Sequence, residues 1–335
     1  MSHPASAENI QLAGDVLRAG GLVAIPTETV YGLAANALDE VAVRNIFCAK
    51  GRPSDNPLIV HVADLESAAR LVSDFDPISL ALAKAFWPGP LTIVLPLSPS
   101  GGIAPSVSAG LTTVGIRVPQ HPVALAVLRA AGVPLAAPSA NKSGSPSPTC
   151  AEHVLADLAD WFPKMVLDGG ACKVGLESTV VQVFLGGGNS VHILRPGGIA
   201  AEQLRAVLTN DVEILHNTGE VNSQPRAPGM KYRHYAPTAR VIPVMSSQAW
   251  VSLQPTLLPD NVVVICFDTL QVSFQKKLSF ASSPTDIHTA SARLFDLLRI
   301  ADTMGARNIY IDCTFDRETG MGVALWNRIS KASDS

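Results

Sequence analysis

Lys50-Gly51-Arg52-Pro53-Ser54-Asp55-Asn56-Pro57-Leu58-Ile59-Val60-His61-Val62, KGRPSDNPLIVHV, is the stretch on which the fold turns. Leu58 to Val62 is a short apolar run behind two prolines and reads as a buried strand. Upstream, Asp39 is placed to cap a helix carrying Val43, Ile46 and Phe47 that stops near Lys50. The segment is therefore a helix-loop-strand junction in which two cations, an amide and an imidazole crowd one strand entrance. Cations at a helix C-terminus have a structural explanation in the helix dipole and a functional one in a phosphate site. Pro53 and Pro57 stiffen the loop under both readings.

The same alternation of elements extends outward. Ile10, Ala13, Val16 and Leu17 follow helical spacing up to Gly20-Gly21, and Leu22 to Thr27 then reads as a strand. Strands are expected at 91–95, 114–118, 178–183 and 191–194. Helices are expected at 77–86, with Asp76 as N-cap and Pro77 in the first turn, at 122–131 and at 200–208. The loops between strands vary too much in length for regular βαβ units. The fold class is α/β, a twisted mixed β-sheet with helices on its faces.

Residues 216–225 are polar and turn-rich, as in a linker, and Arg226 to Pro237 is basic and aromatic. Strands are expected again at 239–244, 261–267 and 308–312, with Leu294, Leu297, Leu298, Ala301 and Met304 on one helical face. The organisation read from this is 1–215, a first domain; 216–237, a linker; and 238–335, a small α/β domain.

Composition narrows the function. The 335 residues are 47% hydrophobic and 16% charged, enough for large cores, and the net charge of −3 argues against a protein that coats nucleic acid. The five cysteines (48, 150, 172, 266 and 313) show no metal or disulfide spacing and read as free thiols. No apolar run reaches membrane-spanning length and no signal sequence opens the chain, so a soluble, cytoplasmic protein is expected.

Several strand ends carry polar groups. Thr27, Glu28, Thr29 and Tyr31 in PTETVYG read as a hydroxyl-rich turn or as part of a cleft. His61 is by default a satisfied core histidine. Arg117, alternating with Ile116 and Val118, lies on a solvated strand face or is buried with a partner. Ala137 to Ser147, APSANKSGSPS, offers hydroxyls, an amide and backbone N–H groups suited to phosphate or ribose, or is simply a loop. There is no GxxxxGK[ST], GxGxxG after a strand, GxSxG or HExxH.

In this order, PTETVYGL, KGRPSDNPLIVHV, GIRVP, APSANKSGSPSPT, ESTVV and LRPGG resemble the threonylcarbamoyl-AMP synthase family of YrdC-like proteins over about residues 10–208. RAPGMKYRHYAP and GMGVALWNRISKAS resemble its long form, with an added small, Rossmann-like C-terminal domain. The resemblance implies a concave, positively charged cavity. It also implies nucleotidyl transfer that makes threonylcarbamoyl-AMP and pyrophosphate from L-threonine, bicarbonate and ATP, with Mg2+ held mainly by the phosphates. A downstream tRNA threonylcarbamoyl transferase complex would use the product, and neither a membrane nor stable nucleic-acid binding is expected.

Carried over by motif position, ATP contacts fall on Lys50, Arg52, Asn56, Thr113, Ser139, Ser147 and Arg195. Threonine contacts fall on Thr29, His61, Arg117, the Ala137 backbone and Ser178. Lys50, Arg52, His61 and Arg117 are the expected catalytic set. In the linker, Lys231, Arg233, His234 and Tyr235 are expected to fold over the cavity and meet ATP. Two rivals are a non-catalytic RNA-binding module and a hydrogenase-maturation type of carbamoyltransferase. The first is disfavoured by charge, and the second by the absence of zinc-finger cysteines and further domains.

Overall fold

The computed structural model describes residues 2–159, 165–186, 188–216, 234–253, 261–271 and 274–333. Its larger sheet contains β1 (Ser2–Pro4), β2 (Val23–Ile25), β3 (Gly32–Asn36), β4 (Ile59–His61), β5 (Leu91–Pro96), β6 (Thr113–Arg117), β7 (Leu135–Ala136), β8 (Met165–Asp168), β9 (Thr179–Phe184), β10 (Asn189–Arg195) and β11 (Val212–His216). Their spatial order is β1-β8-β2-β3-β7-β4-β6-β5-β9-β10-β11. Parallel pairs such as β4/β6 and β5/β9 mix with antiparallel pairs such as β5/β6 and β9/β10.

The helices are α1 (Ala7–Arg18), α2 (Glu40–Lys50), α3 (Leu65–Ala69), α4 (Pro77–Phe86), α5 (Pro105–Ser108), α6 (Pro122–Ala131), α7 (Ala151–Asp157) and α8 (Ala201–Val207). The expected start signals operate. Asp39 accepts from Val41 N and Ala42 N at the head of α2, and Asp76 accepts from Ser79 N ahead of Pro77 in α4. Gly51 ends α2 in the left-handed conformation, φ 59°, turning the chain into the Arg52–Pro57 loop.

Period-2 alternation gives the central strands two faces. Val60, Leu91, Ile93, Leu95, Ile116 and Val181 enter a core shared with Ile46 and Phe47 of α2 and Leu82 of α4. Ile59, Val94, Val180 and Leu194 form a small apolar patch in a separate cluster. His61 lies on the Ile59 side of β4 and is paired in register with Arg117 of β6.

The second sheet has β12 (Arg240–Val244), β13 (Val262–Cys266), β14 (Lys277–Ser279) and β15 (Asn308–Asp312), ordered β12-β15-β13-β14 and all parallel. It is accompanied by α9 (Ser247–Leu253), α10 (Ile287–Thr303) and α11 (Gly320–Ser333). Val263, Ile265, Ile309 and Ile311 pack against Leu294 and Leu298 of α10 and Leu325 and Ile329 of α11. Val262, Val264 and Cys266 pack against Trp250 of α9. A strand covered on both faces reads as a continuous apolar run, as VVVIC does.

The two layers meet closely. Val30, Leu176 and Tyr235 join the second core. Arg299 of α10 grips both Asp157 oxygens (2.8 and 2.7 Å). A Cβ on Gly175, whose φ is +70°, would lie 2.4 Å from Ala292 Cα. The expected linker start, His216, is the last residue of β11, and the GMGVALWNRISKAS motif forms α11. Cys172, Cys266 and Cys313 are buried, Cys48 is exposed, and all five cysteines are free. Among the described residues no helix is long and apolar enough to cross a membrane.

Candidate active site

A cavity opens where the strand ends of β4, β6 and β10 face the turn after β2 and the loop after β7. Its wall includes Arg52, Arg117 and Arg195, so three of the four cations expected before the linker share one hollow. Thr29, His61, Ala137, Ser139, Ser147, Ser178, His234 and Tyr235 line it too.

Arg117 is 4% exposed, which removes the solvated-face reading. Its Nε donates to Gly89 O (3.1 Å), its Nη1 to Thr29 Oγ1 (3.0 Å), and its Nη2 pairs with Glu28 Oε1 at 2.6 Å. Glu28 thereby balances the buried charge. Thr29 is itself fixed by Thr27 Oγ1 (2.7 Å). Beside them, burial and the nearby Arg117 pull the His61 imidazole down to about 3, so it is neutral near pH 7. His61 Nδ1 is buried without a protein partner among the described residues. The Ala137 N–H is bonded to Ile59 O (3.0 Å), so its carbonyl is the backbone group it can offer.

Arg195 reaches the cavity because the β9/β10 register slips between Ile193 and Arg195. Strict alternation would place Arg195 with Val191 and Ile193 in the helix-covered core; the irregularity re-aims it. Its Nη2 donates to Ser178 O (2.9 Å) and Ser178 Oγ (3.2 Å), and Ser178 Oγ also meets Thr92 Oγ1 (2.8 Å). Arg52 donates through Nη2 to Pro57 O (3.0 Å), bracing the loop that precedes β4.

Three of the expected residues stand off the cavity wall, and two lie outside the described residues. Lys50 does not line the cavity: its ammonium donates to the carbonyls of Ser139 and Asn141, and burial together with Arg52 pulls its pKa well down. Asn56 is buried behind the wall, its carbonyl facing Arg52. Thr113 lines a separate cleft with Leu58, Thr92 and Val180, because it starts β6 at the end remote from Arg117. Lys231 and Arg233 lie outside the described residues.

Residue reading missed one acidic partner. Glu177 lines the cavity, accepting from Ser147 Oγ (2.5 Å) and from Arg328 Nε (2.7 Å) of α11. Its neighbour Ser178 was singled out, yet the cation that makes a buried glutamate tolerable stands 151 residues away. His234 and Tyr235 close one side. Tyr235 takes φ +68° and stacks on Phe295 at 5.4 Å, and burial pushes the His234 imidazole down to about 3.

Known proteins resemble both halves of this chain. Residues 15–197 match the Sua5_yciO_yrdC family, described as telomere recombination, and 199–334 match Sua5_C, the threonylcarbamoyl-AMP synthase C-terminal domain. Threonylcarbamoyl-AMP synthase of Bacillus subtilis is 42% identical over 97% of this chain and 92% of its own. That of Pyrococcus abyssi is 41% identical over 97% and 94%. The crystal structure of P. abyssi Sua5 complexed with L-threonine superposes with a TM-score of 0.89 at 38% identity, covering 98% of this chain and 95% of that one. With both halves matched, and with cations, hydroxyls and the neutral imidazole of the shared motifs gathered around one hollow, the chain belongs to the threonylcarbamoyl-AMP synthase family.

Proposed function

We propose that the protein is an L-threonylcarbamoyladenylate synthase, a nucleotidyltransferase that joins L-threonine, bicarbonate and ATP into threonylcarbamoyl-AMP and releases pyrophosphate. The observation that carries this is a single cavity lined by three arginines, several hydroxyls and a neutral imidazole. Thr29, His61, Arg117 and Ser178 suit a zwitterionic amino acid; Arg52, Ser139, Ser147 and Arg195 suit a nucleotide.

The threonine amine condenses with bicarbonate to give a carbamate and water. A carbamate oxygen then attacks the α-phosphorus, and pyrophosphate leaves with the electron pair of the broken P–O bond. No protein nucleophile is required; the protein supplies position and charge. Arg117, fixed from three sides, holds the threonine carboxylate. Neutral His61 accepts a hydrogen bond through Nδ1 from the threonine hydroxyl or the carbamate nitrogen. Arg52 and Arg195 offset charge on the phosphates. Lys50 acts one step removed, anchoring the Ser139–Asn141 loop.

The lining residues include one carboxylate, Glu177, already paired with Arg328, and no group of three metal-ligating side chains occurs among the described residues. Mg2+ is therefore proposed to arrive as part of the Mg-ATP substrate, held by phosphate oxygens. His234 and Tyr235 contribute to excluding water from the labile mixed anhydride. The product would pass to a tRNA threonylcarbamoyl transferase complex.

The test is incubation with ATP, Mg2+, bicarbonate and threonine, measuring pyrophosphate release and the mass of the adenylate. Threonine-dependent release with the expected product supports the reading. RNA binding without turnover, or a requirement for carbamoyl phosphate, overturns it.

A further inference from the structure

The second layer places one side chain at the wall of the cavity. Arg328 of α11 is fully buried; its Nε donates to Glu177 Oε2 (2.7 Å), and its guanidinium carbon lies 5.2 Å above the Tyr235 ring. The other Glu177 oxygen, Oε1, accepts from Ser147 Oγ at 2.5 Å. Burial alone would raise the Glu177 pKa, yet Arg328 and Arg195 hold it below the ordinary value, so the group is a carboxylate.

An ionised carboxylate only accepts hydrogen bonds, and a serine hydroxyl has one proton and two lone pairs. With its proton directed to Glu177, Ser147 presents only lone pairs to the cavity it lines. A phosphate oxygen placed there would meet like partial charge. A ribose hydroxyl or the exocyclic amine of adenine would meet a matched acceptor.

We propose that Arg328 is a positioning residue for the nucleotide pocket: by pairing with Glu177 it fixes the Ser147 hydroxyl as an acceptor, which selects a hydrogen-bond donor of the nucleoside. This rests on the reading of the cavity as an ATP site and gives the C-terminal layer a part in substrate choice. Ser147 then reads the nucleoside end of the substrate while the arginines hold the phosphates.

The experiment compares pyrophosphate release from ATP, 2′-deoxy-ATP, 3′-deoxy-ATP and inosine triphosphate by the wild type and by Ser147→Ala. Loss of one hydrogen bond is expected to raise KM for ATP about 5- to 10-fold in Ser147→Ala. The analogue lacking the donor that Ser147 reads should show that rise in the wild type and no further rise in the variant. The deoxy analogues and inosine triphosphate distinguish ribose from amine.

Glu177→Gln and Arg328→Gln should raise KM for ATP as Ser147→Ala does while KM for threonine stays within about twofold, and Arg328→Lys should restore most of the loss. Should either single variant fail to fold, the double variant Glu177→Gln/Arg328→Met decides, since it leaves neither charge buried alone and should show the same rise in KM for ATP. An equal Ser147→Ala penalty on all four nucleotides, or equal rises in both KM values for the Glu177 or Arg328 variants, overturns the proposal. A wild type that releases no pyrophosphate from ATP overturns instead the function on which it rests.

Discussion

Replacing Arg117 by alanine removes three contacts at once, and the structure separates their effects. The guanidinium holds Gly89 O at 3.1 Å, Thr29 Oγ1 at 3.0 Å and Glu28 at 2.6 Å, with Arg117 and Glu28 side chains only 4% and 7% exposed. Taking away one member of a buried ion pair leaves the other uncompensated, which destabilises by about 3–5 kcal/mol. Against a total stability of about 5–15 kcal/mol this is a large fraction. If Arg117 also holds the threonine carboxylate, losing a charge-assisted hydrogen bond weakens threonine by about 1.5–3 kcal/mol. That corresponds to a rise of roughly 10- to 150-fold in KM for threonine. KM for ATP should stay within about twofold, because Arg52 and Arg195 remain. The double variant Glu28→Gln/Arg117→Met removes both charges and should recover most of the stability without recovering threonine binding. Urea unfolding can be followed by the fluorescence of the four tryptophans, among them Trp87, which donates to Leu91 O (2.7 Å) and packs edge-on against Phe75; kinetics come from pyrophosphate release. An Arg117→Ala protein as stable as the wild type, equal rises in the two KM values, or a double variant with normal KM for threonine would each refute the reasoning.

Thr113→Val should leave kcat/KM for ATP within about twofold, since Thr113 lines a cleft apart from the cavity; a fall of the size expected for a lost hydrogen bond, about 5-fold or more, would restore it to the nucleotide site. Lys50→Met should speed hydrogen exchange across residues 139–145 and raise KM for ATP through the loosened loop; unchanged exchange would show that the ammonium is no anchor. His61 titrates near 6.5 in the unfolded chain and at about 3 in the folded one. Its contribution is therefore complete above the unfolded value and lost as pH falls toward 3. His61→Asn should flatten the fall in stability below pH 6 by about 1.4 kcal/mol per pH unit, read from urea midpoints, and an unchanged slope would contradict a buried neutral imidazole.

What the sequence reveals and what it conceals follow from the range of each physical cause. Asp39 and Asp76 cap helices through contacts two or three residues away, so those starts were legible. The alternation in Ile59-Val60-His61 and Gly115-Ile116-Arg117 fixes which side chains share a face, and the parallel register of β4 with β6 sets His61 beside Arg117. Arg195 breaks that rule: its direction depends on a local register slip against β9 that no property of HILRP announces. Lys50 shows the opposite limit, since a cation at a helix end beside a phosphate-like motif invites a ligand-facing reading. Its ammonium instead meets carbonyls 89 and 91 residues onward. Glu28 and Glu177 carry the common lesson. A chain can signal an arginine at a strand end, but a buried guanidinium is stable only with a counter-charge, and the folded structure supplies that charge from elsewhere. For Arg117 it comes from the turn after β2, and for Glu177 from the last helix of the other layer. The motifs thus supply most of the groups that line the cavity, while the long-range pairs between them determine how each group points.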